Sequence, residues 1–99
     1  VIMLSSAHRV IDVATFSQGS PRLVVTLPGD VYRGAIRAAA KAVILAHNHP
    51  GGDPEPSKGD VELTKRIKEA GRVVGVPLLD HLVIARGGAY RSLAAEGLM

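Results

Sequence analysis

Two histidines, a serine and an aspartate follow one another at short intervals in the middle of this 99-residue chain. His47 and His49 are two residues apart, seven residues separate His49 from Ser57, and Asp60 comes three residues after that serine. On a strand, side chains two apart point to the same side, so both imidazoles would face one way. Two such imidazoles can reach a single zinc ion at Zn–N distances of about 2.0–2.1 Å.

The segment after the histidines is predicted to bring Ser57 and Asp60 back toward them. Residues 50–56 contain three prolines and two glycines, which is typical of a stiff, sharply turned loop. Ser57 then starts a helix and places Asp60 on its first turn. Two neutral nitrogens, one carboxylate and a free fourth position are the ligand set of a catalytic zinc. The helix N-terminus and the Ser57 hydroxyl would add donors for an oxyanion.

Each of these residues also has an interpretation without a metal. Ser57 and Asp60 are the residue types of a helix N-cap and an acidic first turn, a role that does not exclude ligation. A His-x-His pair on a strand is often a surface pair. His8 is expected at the surface, and His81, in an apolar strand, is expected to be a hydrogen-bonded core histidine.

The composition restricts what else the chain can do. Ninety-nine residues with 46% hydrophobic content suit one compact domain with a single sheet and two or three helices. The absence of cysteine excludes disulfides and Cys-containing metal motifs, including those of nucleobase deaminases. One Phe, two Tyr and no Trp leave few stacking platforms for single-stranded nucleic acid. The net charge of +3 permits acidic partners without requiring one.

The compartment is inferred from what the sequence lacks. Its apolar stretches are shorter than the roughly 18 residues that span a bilayer, and its first residues show neither a charged region nor a cleavage signature. A cysteine-free composition fits a reducing environment. We therefore expect a cytoplasmic domain without a membrane partner.

Hydrophobic patterns in the first half predict two strands, a helix and a third strand. Residues 9–20 suit a strand closed by a turn at 19–21, and residues 22–27 suit its hairpin partner. Pro28 and Asp30 suit a helix start. The nearly continuous apolar run at 41–47 indicates a strand buried on both faces at the centre of the sheet. The helix would bury a small-sided face formed by Val31, Ala35, Ala38, Ala39 and Ala42.

The second half predicts a helix followed by two strands. The helix starting at Ser57 would end at Gly75 and Pro77. A strand at 78–85, a turn at 87–88 and a short strand at 89–93 follow. The order β-β-α-β-α-β-β indicates an α/β fold, with a mixed sheet and helices packed on its faces. The second helix would bury Leu63, Ile67, Ala70 and Val74.

The motifs resemble those of the RadC branch of the JAMM/MPN (JAB) superfamily, bacterial proteins labelled DNA repair protein RadC. The pieces "HNHP", "GDP", "PS" and "DH" occur in order within "AVILAHNHPGGDPEPSKGDVELTKRIKEAG" and the following "PLLDHLVI". The resemblance runs from about residue 9 to the end. It implies one domain over residues 1–99, a deaminase-like sandwich of a central mixed sheet flanked by helices. It also implies that the helix-hairpin-helix region, which precedes this domain in longer relatives, is absent here.

The resemblance further implies a zinc ion held by His47, His49 and Asp60, with Ser57 assisting the reaction. The implied activity is hydrolysis of a peptide, an isopeptide or a related amide, in a protein linked to DNA repair or recombination. Active relatives also have an upstream glutamate as general base. Here every glutamate follows the histidine pair, and the corresponding position holds Ala14 or Thr15. Asp12, which shares a strand face with Ala14, is the predicted substitute.

Two functions therefore remain open. The chain is either a zinc-dependent hydrolase, or a metal-binding but catalytically weakened module that acts by associating with protein or DNA. A nuclease of the HNH type is excluded because such sites spread their histidines over a ββα unit. A DNA surface would use the basic residues of the second helix, although a charged helix face is usually only solvated. These residues are Lys58, Lys65, Arg66, Lys68 and Arg72.

Overall fold

The computed structural model describes residues 1–15, 27–49 and 51–99. Within these ranges it contains two helices, α1 (Pro28–Arg37) and α2 (Lys58–Val74), and a short 3-10 turn at Arg86–Gly88. The strands are β1 (Ile2–Leu4), β2 (Val10–Val13), β3 (Ala42–Asn48), β4 (Leu78–Ile84) and β5 (Tyr90–Ser92).

The described strands form one mixed sheet in the order β2-β1-β3-β4-β5. β3 and β4 are parallel, and the other neighbouring pairs are antiparallel. Parallel strands need a long crossover connection, which α2 supplies between β3 and β4. The predicted α/β class and the central position of β3 are confirmed.

The N-terminal strand β1 lies in a segment where the sequence predicts no strand. Its three residues pair with both β2 and β3, so β1 joins the sheet edge to the sheet centre. So short a segment has no sequence periodicity of its own, and its tertiary neighbours make it a strand. The strand predicted from residue 9 is found at Val10–Val13. Ala14 and Thr15, which were predicted to continue this strand, are not part of it. The rest of its predicted continuation, the turn at 19–21 and most of the hairpin partner, residues 22–26, lie outside the described residues.

Helix α1 begins where the sequence predicts and ends earlier. Pro28 occupies its first turn, and the Asp30 carboxylate accepts a hydrogen bond from the Leu27 N–H at 3.2 Å. The predicted apolar face that continued to Ala42 is wrong, because the last helical residue is Arg37 and Ala39 adopts a left-handed φ of 55°. The tight turn at Ala39 lets the chain enter β3 at Ala42.

Helix α2 has the predicted bounds but a rotated buried face. Ser57 is its N-cap, and Gly75 ends it with a φ of 80°. Ile67 is buried as predicted, whereas Val74 is 46% exposed. The buried residues recur at helical spacing and include two polar side chains that the apolar pattern did not select: Asp60, Thr64, Ile67 and Gly71.

Both helices share one core with the centre of the sheet. Tyr32 of α1 and Ile67 of α2 belong to the same buried cluster as Met3 of β1 and Val43 of β3. Met3 and Val43 are register partners, so their side chains lie on one face, and both described helices cover that face. Neither helix in the described ranges combines the length and apolar character that crossing a membrane requires.

Candidate metal centre

The two histidines of the His-x-His pair lie at the carboxyl end of β3. His47 is the penultimate residue of the strand, and the His49 N–H still pairs with the Ile84 carbonyl of β4 at 2.8 Å. The backbone is therefore extended through both residues, and strand parity turns both imidazoles to the helix-covered face. Their side chains are 32% and 24% exposed, so the pair lies at the rim of the core.

The first turn of α2 places Asp60 opposite the histidines. The Asp60 N–H donates to the Ser57 Oγ at 3.0 Å, and the Ser57 N–H donates to the Asp60 Oδ2 at 2.8 Å. This reciprocal capping box holds the carboxylate at the helix start. Burial alone would raise the pKa of Asp60, but the Ser57 N–H bond and the field of His47 outweigh it, and the pKa lies below its usual value.

Three atoms that could ligate a metal ion converge between β3 and α2. The His47 Nε2 lies 3.3 Å from the Asp60 Oδ1, and the His49 Nε2 lies 3.1 Å from the Asp60 Oδ2. One atom from each residue lies within 4.8 Å of the other two. We call His47, His49 and Asp60 the His-His-Asp cluster. Asp60 is only 4% exposed, so its position is held by the fold.

Hydrogen bonding shows that the His-His-Asp cluster suits a cation. The His49 Nδ1 lies 3.2 Å from the Asp53 backbone carbonyl, which can only accept, so Nδ1 carries the hydrogen. In the neutral ring the Nε2 lone pair then points toward the Asp60 carboxylate. Burial lowers the pKa of His47, which favours the neutral form of that ring. Electron pairs facing one another at this distance repel unless a cation lies between them, and two imidazoles with a carboxylate suit zinc.

Ser57 lies at the cluster through its capping bonds with Asp60, whereas the structure does not bring Asp12 there. Asp12 pairs with Met3, and Met3 pairs with Val43, four residues before His47. Four residues correspond to about 13 Å along a strand, and β2 is two strand spacings of about 4.8 Å from β3. Asp12 is exposed, and its Oδ1 accepts from the Val13 N–H at 2.8 Å.

Ala14 lies nearer to the cluster than Asp12 does. Val13 is level with Ile44 through β1, so Ala14 continues the chain to the level of Leu45. Its side chain packs against the core cluster. By register and strand parity it lies on the same sheet face as His47. Thr15 is exposed. Of the two positions, Ala14 is therefore the one closer to the level of the His-His-Asp cluster.

A third histidine stands directly behind the pair. His81 of β4 is 2% exposed, and its Nε2 lies 2.8 Å from the His47 Nδ1. Its Nδ1 contacts the Thr64 Oγ1 of α2. Burial, and then the neighbouring His47, lowers the pKa of His81 to about 4. The prediction of a hydrogen-bonded core histidine is confirmed, but its bond to a site histidine was not predicted.

Thr64 is the other residue at the site that the sequence pattern did not predict. It stands four residues after Asp60 on the buried face of α2, where its hydroxyl donates to the Asp60 carbonyl at 2.6 Å. A polar residue at i+4 from a candidate ligand is a usable signal, because i and i+4 share a helix face. The contact of Thr64 with His81 depends on tertiary packing and leaves no such signal.

The fold and the site together define an α/β domain with a candidate metal centre at the carboxyl end of its central strand. The sequence matches the RadC-like JAB domain over residues 1–98, so the chain belongs to this family. It is 50% identical over 99 residues to UPF0758 protein STH371 of Symbiobacterium thermophilum, covering all of this chain and 42% of that protein. A UPF0758 protein of Thermotoga maritima is 46% identical over 97 residues, which cover 98% of this chain and 43% of the relative. The chain thus spans less than half the length of these curated relatives.

Proposed function

We propose that this domain is a zinc-dependent hydrolase that cleaves a peptide, an isopeptide or a related amide. One observation carries the proposal: two imidazole nitrogens and a buried carboxylate oxygen converge within 4.8 Å at the start of a helix. Three protein ligands with nitrogen and oxygen donors are typical of catalytic rather than structural zinc sites. Membership of the JAB family supports the same chemistry.

The residues of the site would have different roles in the reaction. His47, His49 and Asp60 would hold the ion, which when bound supplies a Lewis acid able to activate water and polarise a carbonyl. Ser57 caps α2 with its oxygen, which leaves its hydroxyl hydrogen free to donate to a developing oxyanion. The N-terminal end of α2 carries a partial positive charge that favours the same anion.

Proton transfer is the incomplete part of this mechanism. Asp12 and Asp30 are the only acidic residues before His47, and Asp30 caps α1. The resemblance implies a glutamate base near Ala14, which shares a sheet face with His47. We expect Ala14→Glu to raise amide turnover, because general bases contribute about 10²–10⁴-fold. Zinc content should stay unchanged. Thr15→Glu, which adds the same charge at the adjacent position, is the matched control. Equal rates in both variants would contradict this assignment.

The proposal is tested by metal analysis joined to an amide-cleavage assay. Protein freed of metal by chelation and then loaded with zinc should bind about one equivalent and cleave some member of a panel of fluorogenic peptides and branched isopeptides. His49→Ala and Asp60→Asn should lose both properties. Metal binding equal to that of the unmodified chain in both variants would end the site assignment. Binding without cleavage, including in Ala14→Glu, would end the hydrolase assignment.

The second candidate function is a metal-binding module that acts through association, and the lack of an upstream glutamate favours it. A DNA partner would bind the basic residues of α2, all of which are exposed. Such binding should weaken steeply as salt increases, because phosphate contacts release counterions. We expect Lys65→Glu with Lys68→Glu to abolish it, and a flat salt titration would remove DNA as the partner. The residues concerned are Lys58, Lys65, Arg66, Lys68 and Arg72.

A further inference from the structure

A continuous hydrogen-bonded chain connects the backbone of α2 to the His47 Nδ1, the ring nitrogen that faces away from Asp60. The Thr64 hydroxyl contacts the Asp60 carbonyl, His81 contacts Thr64 through Nδ1, and His81 contacts His47 through Nε2. Thr64 and His81 are 0% and 2% exposed, so water cannot readily replace these partners. We call Thr64, His81 and His47 the imidazole relay.

The directions of these bonds follow from which atoms can donate. A backbone carbonyl only accepts, so the Thr64 hydroxyl hydrogen is used on the Asp60 carbonyl. The Thr64 oxygen must then accept from the His81 Nδ1–H. In a neutral ring with Nδ1 protonated, Nε2 is an acceptor, so the His81 Nε2 accepts from the His47 Nδ1–H. In the neutral His47 ring, which burial favours, the remaining nitrogen Nε2 is therefore unprotonated and faces Asp60.

We propose that His81 is a positioning residue, and that together with Thr64 it holds His47 in the tautomer whose Nε2 lone pair is available to a metal ion. The inference rests on the proposed metal centre and adds to it a control of which nitrogen can ligate. Metal-binding histidines generally donate their second ring N–H to a fixed acceptor, which orients the ring. His49 achieves this with the Asp53 carbonyl, and His47 achieves it with a second imidazole.

The imidazole relay disfavours the other neutral tautomer of His47, in which Nε2 carries the hydrogen. Without an acceptor at Nδ1, His47 would gain from carrying its hydrogen on Nε2, because the Asp60 Oδ1 is only 3.3 Å away and would accept it. That hydrogen would occupy the lone pair that a metal needs. Loss of Thr64 would also favour the Nε2–H tautomer of His47. His81 could then carry its hydrogen on Nε2 and donate it to the His47 Nδ1.

Two pairs of variants test the relay. His81→Phe removes the acceptor, whereas His81→Gln keeps an amide oxygen within reach of the His47 Nδ1. Thr64→Val removes the hydroxyl at nearly constant volume, and Thr64→Ser keeps it. We expect His81→Phe and Thr64→Val to weaken zinc binding about 10–100-fold, measured by competition with a chelator, because outer partners of metal ligands contribute that much. The Gln and Ser variants should bind close to the unmodified chain.

A second measurement determines the histidine tautomers of the imidazole relay in the metal-free chain. Long-range ¹H–¹⁵N spectra of the histidine rings distinguish Nδ1–H from Nε2–H tautomers. In the metal-free chain we expect His47 as the Nδ1–H form, changing toward Nε2–H in Thr64→Val, while His49 keeps its Nδ1–H form as the internal control. A merely structural role for His81 would lower the melting temperature without moving this signal.

The outcomes separate this inference from the proposed metal centre. An Nε2–H tautomer for His47 in the unmodified chain would overturn the relay, as would unchanged zinc affinity in Thr64→Val and His81→Phe together. If His81→Phe does not fold, the Thr64 pair decides alone. If the tautomer responds as expected but no version of the chain binds zinc, the relay stands and the metal centre fails.

Discussion

Replacing Asp60 by asparagine separates its two roles, because the capping bonds are local while the charge acts on the histidines. The asparagine would keep an oxygen of the same shape to accept from the Ser57 N–H, which lies 2.8 Å from the Asp60 Oδ2. It would lose the negative charge that lies 3.1–3.3 Å from the two histidine nitrogens. In the metal-free chain we expect a loss of only about 0.5–1 kcal/mol, the usual value of an acidic group at a helix N-terminus.

The effect on metal binding should be far larger. Zinc sites with four protein ligands bind with about 10–16 kcal/mol, so one ligand is worth about 3 kcal/mol, or more than 100-fold in Kd. At a zinc concentration 100 times the Kd of the unmodified chain, binding stabilises it by about 2.7 kcal/mol. For a domain of this size that raises the melting temperature by about 10–20 °C. Asp60→Asn at the same zinc concentration should keep at most about 3 °C of this rise.

Thermal unfolding followed by circular dichroism, with and without zinc, measures both effects on the same samples. Glu62→Gln is the matched control, because Glu62 is an exposed acid two positions along the same helix. It should show the full zinc-dependent rise. A full rise in Asp60→Asn, or none in the unmodified chain, would refute the assignment of Asp60 as a ligand.

Three further predictions concern Asp12 as the predicted base, the buried His81, and the close contact of α2 at Gly71. Asp12→Asn should leave zinc content and turnover unchanged, since β2 holds Asp12 at the level of Val43; a loss of turnover with zinc still bound would restore it as the base. The pKa of His81 falls from 6.5 to about 4, so between these values the unfolded chain binds more protons. The metal-free chain should therefore lose up to about 3 kcal/mol as the pH falls from 6.5 to 4, and denaturant titrations of His81→Gln should lack this loss. A Cβ added at Gly71 would lie 2.5 Å from the Val76 carbonyl and would overlap the Tyr32 hydroxyl; Gly71→Ala should cost about 1–3 kcal/mol. Gly59→Ala, where the nearest atom would be 3.8 Å away, should not destabilise the chain.

The parts of the fold that were predictable depend on neighbours in sequence. The start of α2 follows from a serine cap and an acid three residues later, and its end follows from Gly75, which adopts the left-handed conformation that glycine favours. The central strand follows from a run of apolar residues. By contrast, β1 is a strand because β2 and β3 flank it, and α1 stops at Arg37 because the chain must turn into β3.

The same distinction explains the buried face of α2. A purely apolar criterion correctly selected Ile67 and Leu63, which pack in or against the core, but it also selected the exposed Val74 and missed the buried Asp60 and Thr64. Polar side chains are tolerated there because each has a partner: no buried side-chain nitrogen or oxygen in the described ranges lacks a hydrogen bond. Hydrophobic periodicity considers only apolar residues, so it misses a buried helix face that contains polar side chains.

The sequence by itself determined the types of the candidate ligands, their order and the strand parity that aligns His47 with His49, because these depend on covalent spacing and one hydrogen-bonded turn. Only the tertiary structure determined which residues from other parts of the chain contact these side chains. The parallel register of β3 with β4 pairs Leu45 with His81, and docking of α2 on the sheet adds Thr64. The register of β2 places Asp12 away from the cluster. These contacts join residues far apart in the chain, so patterns among neighbouring residues do not predict them.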